Sequence, residues 1–142
     1  MTAPGQDGAG PAGAMKTAIT DAGIRPEDIG YVNLHGTATA HNDKAESLAM
    51  TAIFGNDCPP ASSTKPITGH TLGAASAVEA AICWMIINKK KGLPKHCWDG
   101  VLDDEFPVLP LDIRDCTPSI CMSNSFAFGG CNVILIIGKR TG

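Results

Sequence analysis

The stretch ASSTKPITGHTLGAASAVEAAICWMIINKKKG, residues 61–92, decides the fold class. Ala61 to Thr64 reads as a short strand end, Lys65 to His70 as a polar turn, and about Thr71 to Asn88 as a helix. Lys89, Lys90 and Lys91 in the last turn and Gly92 just beyond favour a stop there. Leu72, Val78, Ile82, Trp84, Met85, Ile86 and Ile87, with Ala and Gly between them, leave this helix apolar all round. Such a helix needs cover on every side. A domain of this size can hardly supply it, so a larger protein or a dimer is expected. Strand, polar turn and apolar helix in that order are the unit of an α/β fold.

The same unit recurs upstream. Met15, Ala18, Ile19 and Ala22 fall at helical spacing, with Gly23 as a stop. Pro26-Glu27-Asp28 reads as a turn. Tyr31 to Leu34 then forms a short strand that runs into His35-Gly36-Thr37. In the helix that follows, Asp43 is expected as the N-cap and Glu46 as its capping-box partner. Downstream, residues 93–118 are irregular and punctuated by prolines. Ile120–Met122 and Val133–Ile137 read as two strands around a polar, glycine-rich turn.

Composition narrows the function. The chain has 142 residues, enough for one domain. With 44% hydrophobic and 18% charged residues it is not intrinsically disordered. A net charge of -3 leaves no basic footprint for nucleic acid. No apolar run is read as reaching the length of a membrane helix, about 18 residues, so no membrane partner is expected. The first residues carry neither the basic nor the apolar region of a secretory signal. Cys58, Cys83, Cys97, Cys116, Cys121 and Cys131 include no C-x-x-C pair, so no metal site is expected. Without a secreted context no disulfide framework follows either, and a reducing, cytoplasmic setting is the reading. Cys83 is expected as a small buried hydrophobe, and His41 and His96 as solvated loop residues.

Three polar segments each follow or end a strand: His35 to Thr39, Lys65 to His70, and Asn124 to Gly130. In open α/β sheets, sites form at the carboxyl ends of strands. Two histidines and a lysine are therefore expected to converge. A neutral imidazole at His70, beside the start of the apolar helix, offers an N–H to a developing oxyanion. Gly69 before it lets a substrate approach the backbone.

Taken together, His35-Gly36-Thr37-Ala38-Thr39, Ser63 to Ala75 and Asn124 to Gly130 resemble the β-ketoacyl-acyl-carrier-protein synthases. These are the elongating condensing enzymes of fatty acid and polyketide synthesis. The motifs stand in family order and the resemblance spans essentially the whole chain. It implies a thiolase-like fold of two α/β halves, with residues 1–142 as the C-terminal domain: a mixed sheet with covering helices, ending in a two-stranded β segment. It implies that His35 and His70 polarise the malonyl thioester carbonyl, and that Lys65 and Glu79 belong to the polar network that supports them. Thr37 and Thr39 would bind the pantetheine arm. Phe128 would gate the acyl pocket, with Phe126, Gly129 and Gly130 shaping its loop. No cofactor is implied, because the substrates ride on the phosphopantetheine of an acyl carrier protein. The implied partners are the N-terminal half, a homodimer mate and that carrier protein.

The departures from the family pattern are Ala38 and Ala127 for glycine, Cys131 for threonine, and Asn42 where glycine is commoner. None of the six cysteines stands at a strand–helix elbow, the place of the family nucleophile, so the chain alone is expected to be inactive. The alternatives are a non-catalytic partner subunit of the chain-length-factor type and a truncated fragment.

Overall fold

Side-chain alternation along two strands generates the layers. The computed structural model describes residues 7–89, 92–111 and 115–139. Strand β1 (Tyr31–Asn33) and strand β3 (Ile120–Phe126) lie parallel, with Tyr31 opposite Cys121, Val32 opposite Met122 and Asn33 opposite Ser123. Successive residues of a strand point to opposite faces. Val32, Leu34, Met122 and Phe126 therefore meet Met15 and Ile19 of helix α1 (Ala9–Asp21) and Ala49, Met50 and Phe54 of helix α2 (Ala40–Phe54). Tyr31 and Cys121 meet Cys83, Ile86 and Ile87 of a later helix on the other face. The result is three layers, helices on both sides of one sheet.

Strand β2 (Ala61–Ser62) pairs parallel with β1. The crossover that a parallel pair requires is α2. A short helix α3 (Lys65–Thr68) and a 3₁₀ turn at Leu72–Ala74 lead into helix α4 (Ala75–Lys89). Strand β4 (Asn132–Gly138) returns antiparallel to β3, giving the order β2-β1-β3-β4. The mixed sheet, its covering helices and the closing two-stranded segment agree with the expected class.

Two boundaries differ from expectation. Helix α4 starts at Ala75, not about Thr71, because Leu72 has φ 49° and cannot continue a right-handed helix. Lys90 and Lys91 lie outside the described residues. Helix α2 starts at Ala40 after Thr39, and the Asp43 N–H bonds the Thr39 carbonyl at 3.0 Å. Asp43 is thus inside the first turn and does not cap it, and Glu46 closes no capping box.

Helix α4 is also less uniform than its composition suggests. Ala75, Glu79, Cys83, Ile86 and Ile87 form one buried stripe. Leu72, Trp84 and Met85 are exposed. By length and composition the 18 residues Leu72–Lys89, of mean hydropathy 1.2, would suffice to cross a membrane. That corrects the expectation that no run reaches this length.

Candidate active site

Strands β1, β2 and β3 are parallel, so their carboxyl ends lie on one edge of the sheet, and each passes into one of the three polar segments. The turn after β1 is held from beneath by a carboxylate. The N–H groups of His35 and Gly36 donate to Glu46 Oε1 and Oε2 at 2.8 and 2.9 Å, and Asn124 Nδ2 donates to Oε1 at 3.0 Å. Burial is the dominant influence on Glu46 and, against these hydrogen bonds, raises its pKa to about 6. Gly36 has φ 35°, and a Cβ there would stand 2.6 Å from Ser63 Cβ, so no larger residue fits. Ser63 Oγ donates to the Gly36 carbonyl at 2.9 Å, tying the β1 and β2 ends together.

His35 is buried, and its ring meets His70 edge-on, with centroids 5.7 Å apart and planes at 88°. Phe126 also meets the His35 ring edge-on, with centroids 5.5 Å apart. Burial first, then the nearby charges of Lys65 and His70, lowers the His35 pKa to about 4. The ring is therefore neutral at physiological pH. His70 lies in the turn after α3 and is exposed; its Nδ1 accepts the Leu72 N–H at 3.4 Å. In the neutral ring that leaves the proton on Nε2, free to be donated outward. His70 stands five residues before the first residue of α4, so the expected seat beside the helix start is corrected.

Lys65 and Glu79 form a buried, hydrogen-bonded ion pair that fastens the start of α3 to the middle of α4. The pair sits behind the cleft and does not line it. The oxygens Asn33 Oδ1, Ser123 Oγ and Glu79 Oε2 are buried with no hydrogen-bond partner among the described residues. Asn33 and Ser123 face each other across β1 and β3. Among the described residues no cluster of three His, Cys, Asp or Glu is present.

In front of the histidines lies a cleft of about 610 Å³, lined by His35, Thr37, Thr39, Asn42, His70, Ser76, Ser125, Phe126 and Cys131, among others. Thr37 Oγ1 and Thr39 Oγ1 are 3.2 Å apart, and Asn42 Nδ2 donates to Thr37 Oγ1 at 2.9 Å. Ser76 of α4 donates to Ser125 of β3 at 2.8 Å. Gly129 and Gly130 each have φ 79°, in the left-handed region that favours glycine. Ala127, at φ −124°, is extended and unstrained. The Phe128 side chain lies outside the described residues.

Of the residues singled out in the sequence, His35, His70, Thr37, Thr39 and Phe126 meet in the cleft, and Lys65 and Glu79 support it from behind. Sequence reasoning missed Glu46, read as a cap, because its three donors come from residues 10, 11 and 78 positions away. It also misread His96. The His96 Nδ1 accepts the Ser63 N–H at 3.0 Å, so this ring is part of the β2 turn and not a solvated loop residue.

Comparison with known proteins follows the same lines. The family described as beta-ketoacyl synthase, C-terminal domain, matches residues 1–97. The 3-oxoacyl-[acyl-carrier-protein] synthase 2 of Staphylococcus aureus is 37% identical over 142 residues, covering 98% of this chain and 34% of that protein. A ketosynthase from Xenorhabdus doucetiae, solved in complex with its chain length factor, superposes with TM-score 0.92 at 45% identity, over 99% of this chain and 36% of that one. A β-ketoacyl synthase from Burkholderia phymatum superposes with TM-score 0.89 at 36% identity, over 99% and 34%. The chain thus spans about a third of the length of the relatives it matches.

Proposed function

The chain belongs to the β-ketoacyl synthase C-terminal domain family, and on that footing we propose that it supplies the two-histidine half of a site for decarboxylative Claisen condensation. The observation that carries this reading is the pair of imidazoles, edge-on at 5.7 Å, in one cleft with two threonine hydroxyls.

In the proposed step, the thioester oxygen of a malonyl group bound to an acyl carrier protein accepts N–H bonds from His35 and His70. The bond between the malonyl methylene and its carboxylate breaks and CO₂ leaves. The electron pair passes into an enolate whose oxygen both rings hold. The carbon end then attacks an acyl thioester carried on a cysteine of the N-terminal half, and that thiolate is expelled. Fixed donors aimed at a developing oxyanion are among the largest contributors to catalysis. The depressed pKa of His35 suits this role, since the ring donates without carrying charge into the cleft. Lys65 and Glu79 hold the two turns in register. Thr37 and Thr39 grip the pantetheine arm, and Phe126, Phe128, Gly129 and Gly130 shape the acyl pocket. No cofactor enters this scheme; the substrates arrive on phosphopantetheine. The N-terminal half, a dimer mate and the carrier protein are the partners it needs.

The test is made in the complete synthase. His70→Ala is expected to lower malonyl decarboxylation about 10²–10³-fold, while acylation of the nucleophile survives in part. Equal losses in both steps would overturn the assignment. The chain alone is expected to make no β-ketoacyl product from acyl- and malonyl-carrier protein, because it holds no elbow cysteine to accept the acyl group.

A further inference from the structure

We propose that Asn42 is a positioning residue that pins the Thr37 hydroxyl by donating to it, so that the Thr37–Thr39 pair keeps one O–H to offer from this wall of the cleft to a carbonyl oxygen of an amide-bearing substrate arm. The proposal deepens the reading above and rests on its assignment of Thr37 and Thr39 to the arm.

Asn42 lies in the first turn of α2, half-buried, on the rim of the cleft. Its Nδ2 donates to Thr37 Oγ1 at 2.9 Å, and Thr37 Oγ1 lies 3.2 Å from Thr39 Oγ1. An amide nitrogen only donates, whereas a hydroxyl has one proton and two lone pairs. Suppose Thr37 passes its proton to Thr39. The Thr39 proton then points onward into the cleft. Suppose instead that Thr39 donates to Thr37. Thr37 now accepts twice, and its own proton is the one left over. In both arrangements the chain ends in an O–H and not in a lone pair. A carbonyl oxygen, which only accepts, is the matching partner, and a pantetheine arm offers two amide carbonyls.

An acceptor at position 42 would reverse this. Thr37 would donate back to it, and the chain would end in a lone pair facing the carbonyl. Burial raises the pKa of Asp43, the next residue, and the nearby N–H groups of Ala38, Thr37 and Thr39 offset that in part.

The experiment measures malonyl decarboxylation by the complete synthase with two thioesters: malonyl-pantetheine, which carries both amides, and S-ethyl malonyl thioester, which carries none. Wild type is expected to bind the amide-bearing thioester with the lower KM. Asn42→Asp and Asn42→Gly are each expected to raise that KM about fivefold, the loss of one oriented hydrogen bond, with the change in KM and not in kcat. In a Thr37→Val background, which cuts the chain, Asn42→Asp should cause no further loss. If wild type discriminates between the thioesters and neither Asn42 variant alters the ratio, the proposal falls while the arm-binding reading stands. If wild type does not discriminate, the arm-binding reading falls and takes the proposal with it. If kcat falls with both thioesters, Asn42 serves the fold and not the arm, and the proposal is wrong.

Discussion

Single residues carry much of the strain and most of the pH response. Ala38 stands where the family pattern has glycine, and its φ of 58° is left-handed. That conformation costs an L-residue about 1–2 kcal/mol, part of which a glycine would return to the freer unfolded chain. Ala38→Gly is therefore expected to raise stability by about 1 kcal/mol, read as a later urea midpoint; an earlier midpoint would mean that the loop does not hold this conformation. His35 governs the acid side. In the folded chain its ring takes a proton only near pH 4, and in the unfolded chain near 6.5. Its contribution is complete above pH 6.5 and is lost as the pH falls toward 4. Glu46 works in the opposite sense. Its folded pKa of about 6 exceeds the ordinary value of 4.5, so falling pH between those values favours the folded state. His35→Gln should accordingly flatten the acid loss of stability measured by denaturant titration from pH 7 to 4. An unchanged profile would show that the ring is not held neutral.

At the scale of elements, the parallel β1–β3 pair and the turns that end it bring the site together, and the Lys65–Glu79 pair joins α3 to α4. Removing one partner of a buried pair typically costs about 3–5 kcal/mol, because the other charge is left uncompensated. Lys65→Met is expected to lose that much in urea denaturation, and Lys65→Met with Glu79→Leu to recover a part of it. Equal stability of the single and double variants would show that the pair is not closed in solution. The same elements show what the sequence made legible. The polar segments that begin at His35, Lys65 and Asn124 were readable because each follows, or lies at the end of, a stretch with the length of a short strand. The start of α4 was not, since a leucine gives no sign that its backbone will turn left-handed. Glu46 was hidden for another reason: a glutamate three residues after an aspartate is a local capping signal, whereas its actual donors depend on how the sheet crosses α2. Asn42 appeared only as a departure from pattern; its link to Thr37 needed the loop to fold back over the first turn of the helix.

The molecule as a whole leaves apolar surface uncovered. Trp84 and Met85 on α4 and Leu72 in the turn before it are exposed, as are Val133 and Leu135 on the edge strand β4. Monomers seldom keep contiguous apolar patches beyond a few hundred Å². With the chain spanning about a third of its relatives, the isolated protein is expected to self-associate at micromolar concentration in sedimentation velocity and to bind a hydrophobic dye. A monodisperse monomer that binds no dye would show that this face needs no cover. The same face has a spectroscopic consequence. The chain holds two tryptophans, and Trp84 is 57% exposed on the outer side of α4. An indole in water fluoresces at longer wavelength than one in a dry contact. Docking of any partner onto this helix therefore shifts the emission of Trp84 to the blue, and the protein reports its own assembly without a label.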